Sequence, residues 1–336
     1  MRRLWAAALV IAFALAGPGV SARACLDCGA PPGPVIGGAG TIGPAGGDHF
    51  VTVVERNTTL LDIDPSGTVN RWTTLAGSWG VPLVAADGTT GGVSGDGRRL
   101  VLEHASYIYP KRVTRFLVLN ATTLRVRDRV TLRGDYSFDA ISPDGSLMFL
   151  IEHPIPGGLA NYLVRAYDLQ RDRMLRRVIR EEGEPSAVMN GIALTRATTA
   201  DGAWAYTLYD EGRGRMFVHA LDTVRGRAHC IDLPRAAGGG VMQLDLSADW
   251  SRLDVLVDGE GLARINTATF AISQPPAPAA VAAVFPPVNH STPAASGSGR
   301  VQWLLAAAAA LAVAGIATLV ARRRGATLLA WRPRSD

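Results

Sequence analysis

One short unit, a hydroxyl residue followed by a tight turn and a strand, occurs four times along the chain and constrains the fold more than any other feature. The copies read "SGDGRRLVLEH" from Ser94, "SPDGSLMFLIEH" from Ser142, "TADGAWAYTLYD" from Thr199 and "SADWSRLDVLVD" from Ser247. In the second copy, proline and aspartate favour the turn and glycine relieves the exit from it. Apolar residues then recur at alternate positions, which predicts a β-strand in each copy.

Each copy is followed by a strand, a polar turn and a second strand, a pattern that predicts a hairpin. The copies begin roughly 48 to 57 residues apart, and a repeat of that length with up to four strands is typical of a β-propeller. The segment "NTTLLDIDPSGTVNRWTTL" from Asn57 fits the same hairpin. Region 48–272 is therefore predicted to be an all-β propeller of about five blades, each a four-stranded antiparallel sheet. A two-sheet sandwich is the main alternative.

A propeller must also close, and the sequence suggests how. The apolar segment 50–55 precedes the first hairpin, and the last repeat ends near Ile272. We expect these two segments to pair and so to join the two ends of the repeat array.

The flanks of the repeats predict an exported and anchored chain. Residues 1–24 have a basic start, a short apolar stretch and a small-residue ending, as a secretory signal peptide does. A glycine- and proline-rich lead, 25–47, precedes the repeats, and a stalk rich in proline, alanine and serine, 273–300, follows them. Residues 301–321 are uncharged and, at about 1.5 Å per residue, reach roughly 30 Å, the hydrocarbon thickness of a bilayer. Arginines cluster in the tail, 322–336, as cytoplasmic flanks of membrane helices do.

Taken together, the flanks predict a single-pass protein of the cell membrane. One C-terminal transmembrane helix, 301–321, would cross the cytoplasmic membrane, with the N-terminal body extracytoplasmic and the tail cytoplasmic. The alternative for 301–321 is a buried core helix.

Charge argues against nucleic acid as a partner. The formal net charge is +5, but the predicted signal and tail hold eight of the arginines, and acidic and basic side chains nearly balance in the part that folds. A basic footprint for nucleic acid is therefore missing from the body. Lys111 is the only lysine in a chain that otherwise uses arginine.

Three cysteines leave at least one thiol without a partner in the chain. In an exported protein, a Cys28–Cys230 disulfide is expected, with Cys25–Cys28 as the other pairing. Acylation of Cys25 is a further alternative.

The repeated unit resembles the bacterial extracytoplasmic YVTN and lactonase-like β-propeller repeats. The residues that carry the resemblance are "SPDG" from Ser142 with "VRAYDL" from Val164, and weaker echoes are "ADG" from Ala200 with "VHALDT" from Val218. The resemblance covers roughly 48–272 and implies the propeller fold; such propellers include lactonases as well as binding proteins. With its signal, stalk, helix and tail, the chain also resembles membrane-anchored propellers of GC-rich bacteria.

Two of the repeated strands end in the same dipeptide, Glu103-His104 and Glu152-His153. Corresponding strands of neighbouring blades end on the same face, so the four side chains are candidate ligands of a divalent cation that could activate water. The alternative is duplication, because related strands inherit related ends. No other cofactor is expected.

The loop "HASYIYPKR" from His104 directly follows a repeated strand and is a candidate recognition loop. It offers two aromatic and two cationic side chains, Tyr107, Tyr109, Lys111 and Arg112, which are residue types enriched at interfaces.

Two functions remain open at this point, beside a third possibility, a purely structural component of the envelope. The first is a membrane-anchored binding module for another envelope or membrane protein, a peptide or an envelope glycan. The second is a metal-assisted hydrolase of lactones or esters that uses the Glu-His cluster. The sequence favours the binding module over the enzyme.

Overall fold

The structure, a computed structural model, describes residues 34–35, 40–106, 108–154, 160–184, 186–234 and 240–274. The predicted signal, stalk, transmembrane helix and tail lie outside the described residues, apart from the first two residues of the stalk. Within the described part of the chain, all regular secondary structure is β, and it forms five antiparallel sheets of four or five strands. The prediction of an all-β protein built from four-stranded antiparallel sheets is confirmed.

The first two sheets hold the N-terminal strands. A two-residue strand, β1 (Pro34–Val35), comes first in the chain and joins the second sheet. Sheet 1 has the order β2 (Thr41–Ile42), β3 (His49–Val54), β4 (Thr58–Ile63), β5 (Val69–Leu75). Sheet 2 has the order β1, β6 (Trp79–Pro82), β7 (Arg99–His104), β8 (Val113–Asn120), β9 (Val126–Arg133).

The remaining three sheets follow in chain order. Sheet 3 has the order β10 (Tyr136–Ile141), β11 (Leu147–Glu152), β12 (Asn161–Asp168), β13 (Arg173–Met174), and β14 (Met189–Asn190) also pairs with β12. Sheet 4 has the order β15 (Ile192–Thr198), β16 (Trp204–Gly212), β17 (Arg215–Asp222), β18 (Arg227–Asp232). Sheet 5 has the order β19 (Met242–Leu246), β20 (Arg252–Val257), β21 (Glu260–Asn266), β22 (Ile272–Ser273).

The predicted closure by strand pairing is wrong. Strand β3, which holds the segment expected to close the array, pairs with β2 and β4 inside sheet 1. The final strand, β22, pairs only with β21 within the described chain. The main strands of each sheet are instead consecutive in the chain, because short turns bring neighbouring strands together at little entropic cost; the exceptions are the two-residue strands β1, which pairs with β6, and β14, which pairs with β12.

Each sheet has a consecutive up-and-down set of four strands, which in sheet 2 is β6–β9 and in sheet 3 is β10–β13, so the connections within these sets lie at two opposite ends. We call the end with the repeated turns the turn end; it joins the first strand to the second and the third to the fourth. The loop end holds the links from the second strand to the third and from each sheet to the next. The repeated segments from Ser94, Ser142, Thr199 and Ser247 all lie at the turn end.

The first strands of different sheets lie near a common centre. The segment between β6 and β7 bonds to the first strand of sheet 4, through Ala86 N–H to the Ala193 carbonyl (2.9 Å) and Asp87 N–H to the Leu194 carbonyl (3.1 Å). A cavity of about 230 Å³ is lined by residues from four sheets, including Ile42, Phe138 and Arg196. This arrangement is the one expected of a propeller, in which first strands surround a central axis.

Candidate functional site

The loop end of sheets 2 and 3 gathers three of the residues singled out from the sequence, Glu103, Lys111 and His153. Lys111 lies in the loop after β7, and its ammonium is 2.9 Å from Glu103 Oε1 at the end of that strand. The same ammonium donates a 2.5 Å hydrogen bond to the carbonyl oxygen of Tyr136 and lies 3.6 Å from Asp135 Oδ1. His153 follows β11 at the same place, since its backbone N–H donates to the Asp135 carbonyl (3.0 Å).

This group is a buried charge cluster rather than a surface patch. Lys111, Glu103 and Asp135 are all buried, at 5%, 1% and 5% exposure. Burial alone would lower the pKa of Lys111, but the Glu103 carboxylate and its hydrogen bond outweigh burial and raise that pKa. Burial lowers the pKa of His153, although Asp135 acts in the opposite direction. Burial raises the pKa of Glu103, and the Lys111 ammonium opposes that rise. Lys111 is therefore held as a cation whose removal would leave two buried acidic side chains without their counterion.

Lys111 fixes the base of the loop and leaves its tip in solvent. Ile108 is 76% exposed and Tyr109 is 38% exposed, and Arg112 is exposed beside them. The Lys111 ammonium lies 5.7 Å from the centroid of the Tyr109 ring, within the range of a cation–π contact. Tyr107 lies outside the described residues. The candidate recognition loop thus presents one apolar and one aromatic side chain to solvent above the buried Lys111.

More apolar side chains are exposed at the same end of the sheets. They precede or begin strands at the loop end and come from sheets 3, 4 and 5: Val188, Ile192 and Val241. With Ile108 and Tyr109 they form a set that we call the loop-end patch. All five lie at the loop end of their sheets, where exposed apolar and aromatic side chains are candidates for contact with a partner.

The Glu-His pairs do not converge as one group. The His104 ring packs edge-on against Trp79, with centroids 5.0 Å apart, and Glu152 forms an ion pair with Arg165 (3.1 Å). Glu103 and His153 belong to the Lys111 cluster instead. Within the described ranges no group of three or more His, Cys, Asp or Glu side chains is placed to hold a metal ion. A metal site formed by Glu103, His104, Glu152 and His153 stays a prediction.

A second buried polar group lies at the centre and joins sheets 3 and 4. The Arg196 guanidinium donates to the carboxylate and to the carbonyl oxygen of Asp139, and its Nε donates to Thr207 Oγ1 (2.9 Å). His219 is buried nearby, and burial lowers its pKa to about 4. All three ionisable side chains have little exposure, so this group contributes to the packing of the two sheets.

The cysteine and membrane predictions fall mainly outside the described residues. Cys230 has no disulfide partner among the described residues, and burial raises the pKa of its partly buried thiol to about 12, while Cys25 and Cys28 are not among the described residues. The Cys28–Cys230 disulfide therefore stays a prediction. Within the described chain there is no helix that could span a bilayer. The predicted span, 301–321, lies beyond it.

Sequence reasoning missed Asp135 and Ile108. Asp135 precedes β10 and completes the Lys111 cluster, and only the folded contact between sheets 2 and 3 shows it. Ile108 lies inside the loop quoted from the sequence. Its position between two tyrosines in a polar loop is the sequence feature that could have pointed to it. The single lysine was the other available signal, because arginine supplies every other basic side chain in the chain apart from histidine.

Comparison with known proteins identifies the kind of domain. A family model described as the lipoprotein LpqB β-propeller domain, Gmad1, matches residues 133–315, which is more than half of the chain. No curated protein matches the chain.

Solved structures show more distant likeness. The hydrazine synthase of Kuenenia stuttgartiensis is 16% identical with a TM-score of 0.44, over 73% of this chain and 66% of that one. TolB from Acinetobacter baumannii is 15% identical with a TM-score of 0.41, over 70% of this chain and 53% of that one. The putative TolB from Agrobacterium tumefaciens is 12% identical with a TM-score of 0.41, over 72% and 80%. The chain thus spans less than two thirds of the length of the first two.

Proposed function

We propose that this chain, which belongs to the family of the lipoprotein LpqB β-propeller domain, is an extracytoplasmic binding module. Its partner in this proposal is another protein of the cell envelope. The observation that carries this proposal is the loop-end patch, with Ile108 and Tyr109 held in solvent by the buried Lys111. The family description, a lipoprotein domain, supports a place in the envelope. In this proposal the five sheets are the blades of the propeller.

The binding surface would use the loop-end patch as its apolar centre and Arg112 as part of its polar rim. Tyrosine and arginine are among the residue types that carry most of the binding energy in protein interfaces, and apolar side chains contribute to the buried core around them. Because the ion pairs and hydrogen bonds of Lys111 hold the loop against sheets 2 and 3, the loop loses little conformational entropy when a partner binds.

Photo-crosslinking in living cells tests this proposal. A photoreactive amino acid is placed at Ile108 of the full chain, and a control is placed at Val224, which is 56% exposed at the turn end of sheet 4. We expect a discrete adduct of higher mass from position 108 and none from position 224. Equal adducts from both positions, or none from position 108, would contradict the proposal.

We also propose that residues 301–321 anchor the chain in the cytoplasmic membrane as a single-pass helix with the tail inside. The uncharged length of this segment and the arginines after it support the proposal. Alkaline phosphatase fused after Asp336 should be inactive, whereas the same enzyme fused after Gln274 should be active. An active fusion after Asp336 would reverse the topology.

A further inference from the structure

The outer edge of sheet 2 carries arginines that have no acidic partner. Strand β9 is the last strand of this sheet, and within the described chain it pairs only with β8. Arg129 and Arg133 lie on β9, and Arg115 lies on β8, directly opposite Thr131. All three arginines are exposed. Among the described residues none of the three forms an ion pair.

The three arginines lie on one side of the sheet. Successive residues of a strand alternate between the two faces, and directly paired residues share a face. Arg129, Thr131 and Arg133 therefore share a face, and Arg115 shares it because it pairs with Thr131. Diagonal neighbours on two adjacent strands lie about 7–8 Å apart, and Arg115 is the diagonal neighbour of both other arginines. We call these three arginines the basic edge.

The basic edge differs from arginines on other sheets, several of which have a carboxylate beside them. Such pairs occur on sheets 1, 3 and 5: Arg71 with Asp62, Arg165 with Glu152, and Arg264 with Asp254. The charge of the basic edge also acts on a neighbour, since burial and then the positive charge of Arg115 lower the pKa of His104. A cluster of cations without counterions is a surface on which an anionic partner gains charge complementarity.

The rest of the chain is too poor in acidic residues to neutralise the basic edge. Outside the described residues, the sequence contains two acidic side chains, Asp27 in the predicted lead and Asp336 at the end of the predicted cytoplasmic tail. The predicted stalk, 273–300, contains none. Asp27 could pair with one arginine of the three at most. A counterion for the whole basic edge would therefore come from another molecule.

The position of these arginines on an edge strand favours an extended peptide over other anions. An edge strand presents unpaired backbone N–H and C=O groups, to which a further strand can bond. Arg129, Arg115 and Arg133 follow one another along the sheet at steps of two residues, about 6.8 Å. Every second side chain of an added strand has the same spacing. Carboxylates at those positions would lie beside the arginines of β9, with Arg115 one strand further in.

We propose that β9 binds an extended acidic segment of a partner protein as an added strand, with Asp or Glu at alternate positions on the side of the basic edge. This inference rests on the proposed function, in which the partner is an envelope protein, and it names the chemistry of that partner. Like charges directly opposite each other are destabilising, so the basic edge disfavours β9 of a second copy. The site is continuous with the loop end, because β9 ends there at Arg133 and Gly134 N–H donates to the Arg112 carbonyl (2.9 Å).

Fluorescence anisotropy of a labelled synthetic peptide, titrated with the full chain in detergent, tests this proposal. The probe is a nine-residue peptide with glutamate at alternate positions and threonine or valine between them. The wild-type chain should bind it saturably. The triple variant Arg115→Gln, Arg129→Gln, Arg133→Gln should bind it at least 10-fold more weakly, because it keeps the edge strand and loses the charges.

A charge-matched variant controls for the loss of net charge. Arg173→Gln, Arg213→Gln, Arg227→Gln removes three exposed arginines from sheets 3 and 4 that form no ion pair in the described chain. This control should bind the peptide like the wild type. Equal weakening in both triple variants would show that net charge alone attracts the peptide and would contradict the proposal.

Two further peptides separate strand addition from a general attraction to anions. One has the same composition with its glutamates in a single run, and the other is the alternating peptide with its central amide nitrogens methylated. Each should bind at least 5-fold more weakly, since the first loses the spacing and the second loses backbone donors. If either peptide, or the sulfated glycan heparin, binds the basic edge as tightly as the alternating peptide, strand addition is wrong.

Circular dichroism shows whether each variant folds, and Arg129→Gln alone repeats the test if the triple variant does not. A wild-type chain that does not bind the alternating peptide overturns the proposal, including when another part of the chain already occupies β9. The photo-crosslink at Ile108 does not involve β9. An adduct from position 108 without peptide binding would reject the acidic segment and keep the loop-end patch, whereas peptide binding without that adduct would do the reverse.

Discussion

Polar groups at the turn end of the five sheets and polar groups at the loop end find their hydrogen-bond and ion-pair partners in different ways. At the turn end, each repeated turn bonds within itself. A hydroxyl donates to the aspartate two residues later at 2.6 to 2.7 Å in all four copies, as in Ser142 to Asp144. At the loop end, the main polar group is Lys111, which reaches Glu103 and Asp135 from different segments.

Under the proposed function, this contrast separates the segments that build the fold from the segments that would bind a partner. Local turns that repeat with the same internal bonds are sufficient to reverse the chain. Contact with a neighbouring sheet is added at one of them, where Asp96 N–H donates to the Pro143 carbonyl of the next repeated turn (2.9 Å). The loop end has diverged between repeats, exposes apolar side chains and depends on one long-range ion cluster. Function in repeat proteins concentrates in such variable connections, held by a rigid scaffold.

Removing the loop-end anchor should have the largest effect on stability. Lys111→Met leaves the buried Glu103 and Asp135 without their cation, and we expect a loss of about 3–5 kcal/mol in the free energy of unfolding. Arg171→Met removes an ion pair with Asp168 at the turn end, where the arginine is 66% exposed, and should cost less than about 1 kcal/mol. Urea unfolding followed by circular dichroism measures both. Equal losses would remove the distinction between the two ends.

As pH falls, buried His219 and the turn residue Asp249 should affect the free energy of unfolding in different pH ranges. The pKa of buried His219 is lowered to about 4, so the unfolded chain binds its proton first as pH falls below about 6.5. Stability should fall by up to about 3 kcal/mol between pH 6.5 and 4 and then level off for this group. The pKa of Asp249 is lowered to about 2 by Ser247, so its contribution persists above pH 4 and is lost only as pH falls towards 2.

The variant His219→Leu checks the first window. Its free energy of unfolding, measured in urea at each pH, should depend less on pH between 6.5 and 4 than that of the wild type. An unchanged slope in that window would show that His219 is not the group responsible.

A single repeated turn should contribute a smaller amount. Ser142→Ala removes an acceptor for the N–H of Leu147 (2.9 Å) and a donor to Asp144, with an expected loss of about 1 kcal/mol. Ser106→Ala at the loop end removes only longer bonds to Ile108, of 3.2 and 3.3 Å, and should cost less. The shift in urea midpoint ranks the two, and the reverse order would contradict the role given to the turn.

Replacement of Tyr109 should have the smallest effect on stability and the largest effect on binding of the partner. Tyr109→Ala loses one partly exposed cation–π contact, about 0.5–1 kcal/mol, but removes the aromatic side chain of the loop-end patch. The adduct formed from position 108 should then fall at least 10-fold, whereas Val224→Ala should leave both stability and adduct unchanged. Retention of the adduct in Tyr109→Ala would exclude this side chain from the interface.

The parts of the fold that depend on local chemistry could be predicted from the sequence. The turn at Ser142 and the strand after it follow from residue types and period-two alternation, and both are present. Closure could not be predicted, because the partner of β3 depends on which strands are adjacent in space rather than on its own sequence. The Lys111 cluster was hidden for the same reason, since Asp135 and Lys111 belong to different segments and meet only after sheets 2 and 3 pack.

Differential protection in cells tests the central claim most directly. Single cysteines are placed at Ile108 and Val241 of the loop end and at Val224 of the turn end, with the three native cysteines replaced by serine, and each is labelled with an impermeant maleimide. If the loop end is the binding surface, positions 108 and 241 will react slowly on intact spheroplasts and quickly in the purified protein, while position 224 reacts equally in both. Equal reactivity of all three positions in cells and in purified protein would contradict the account.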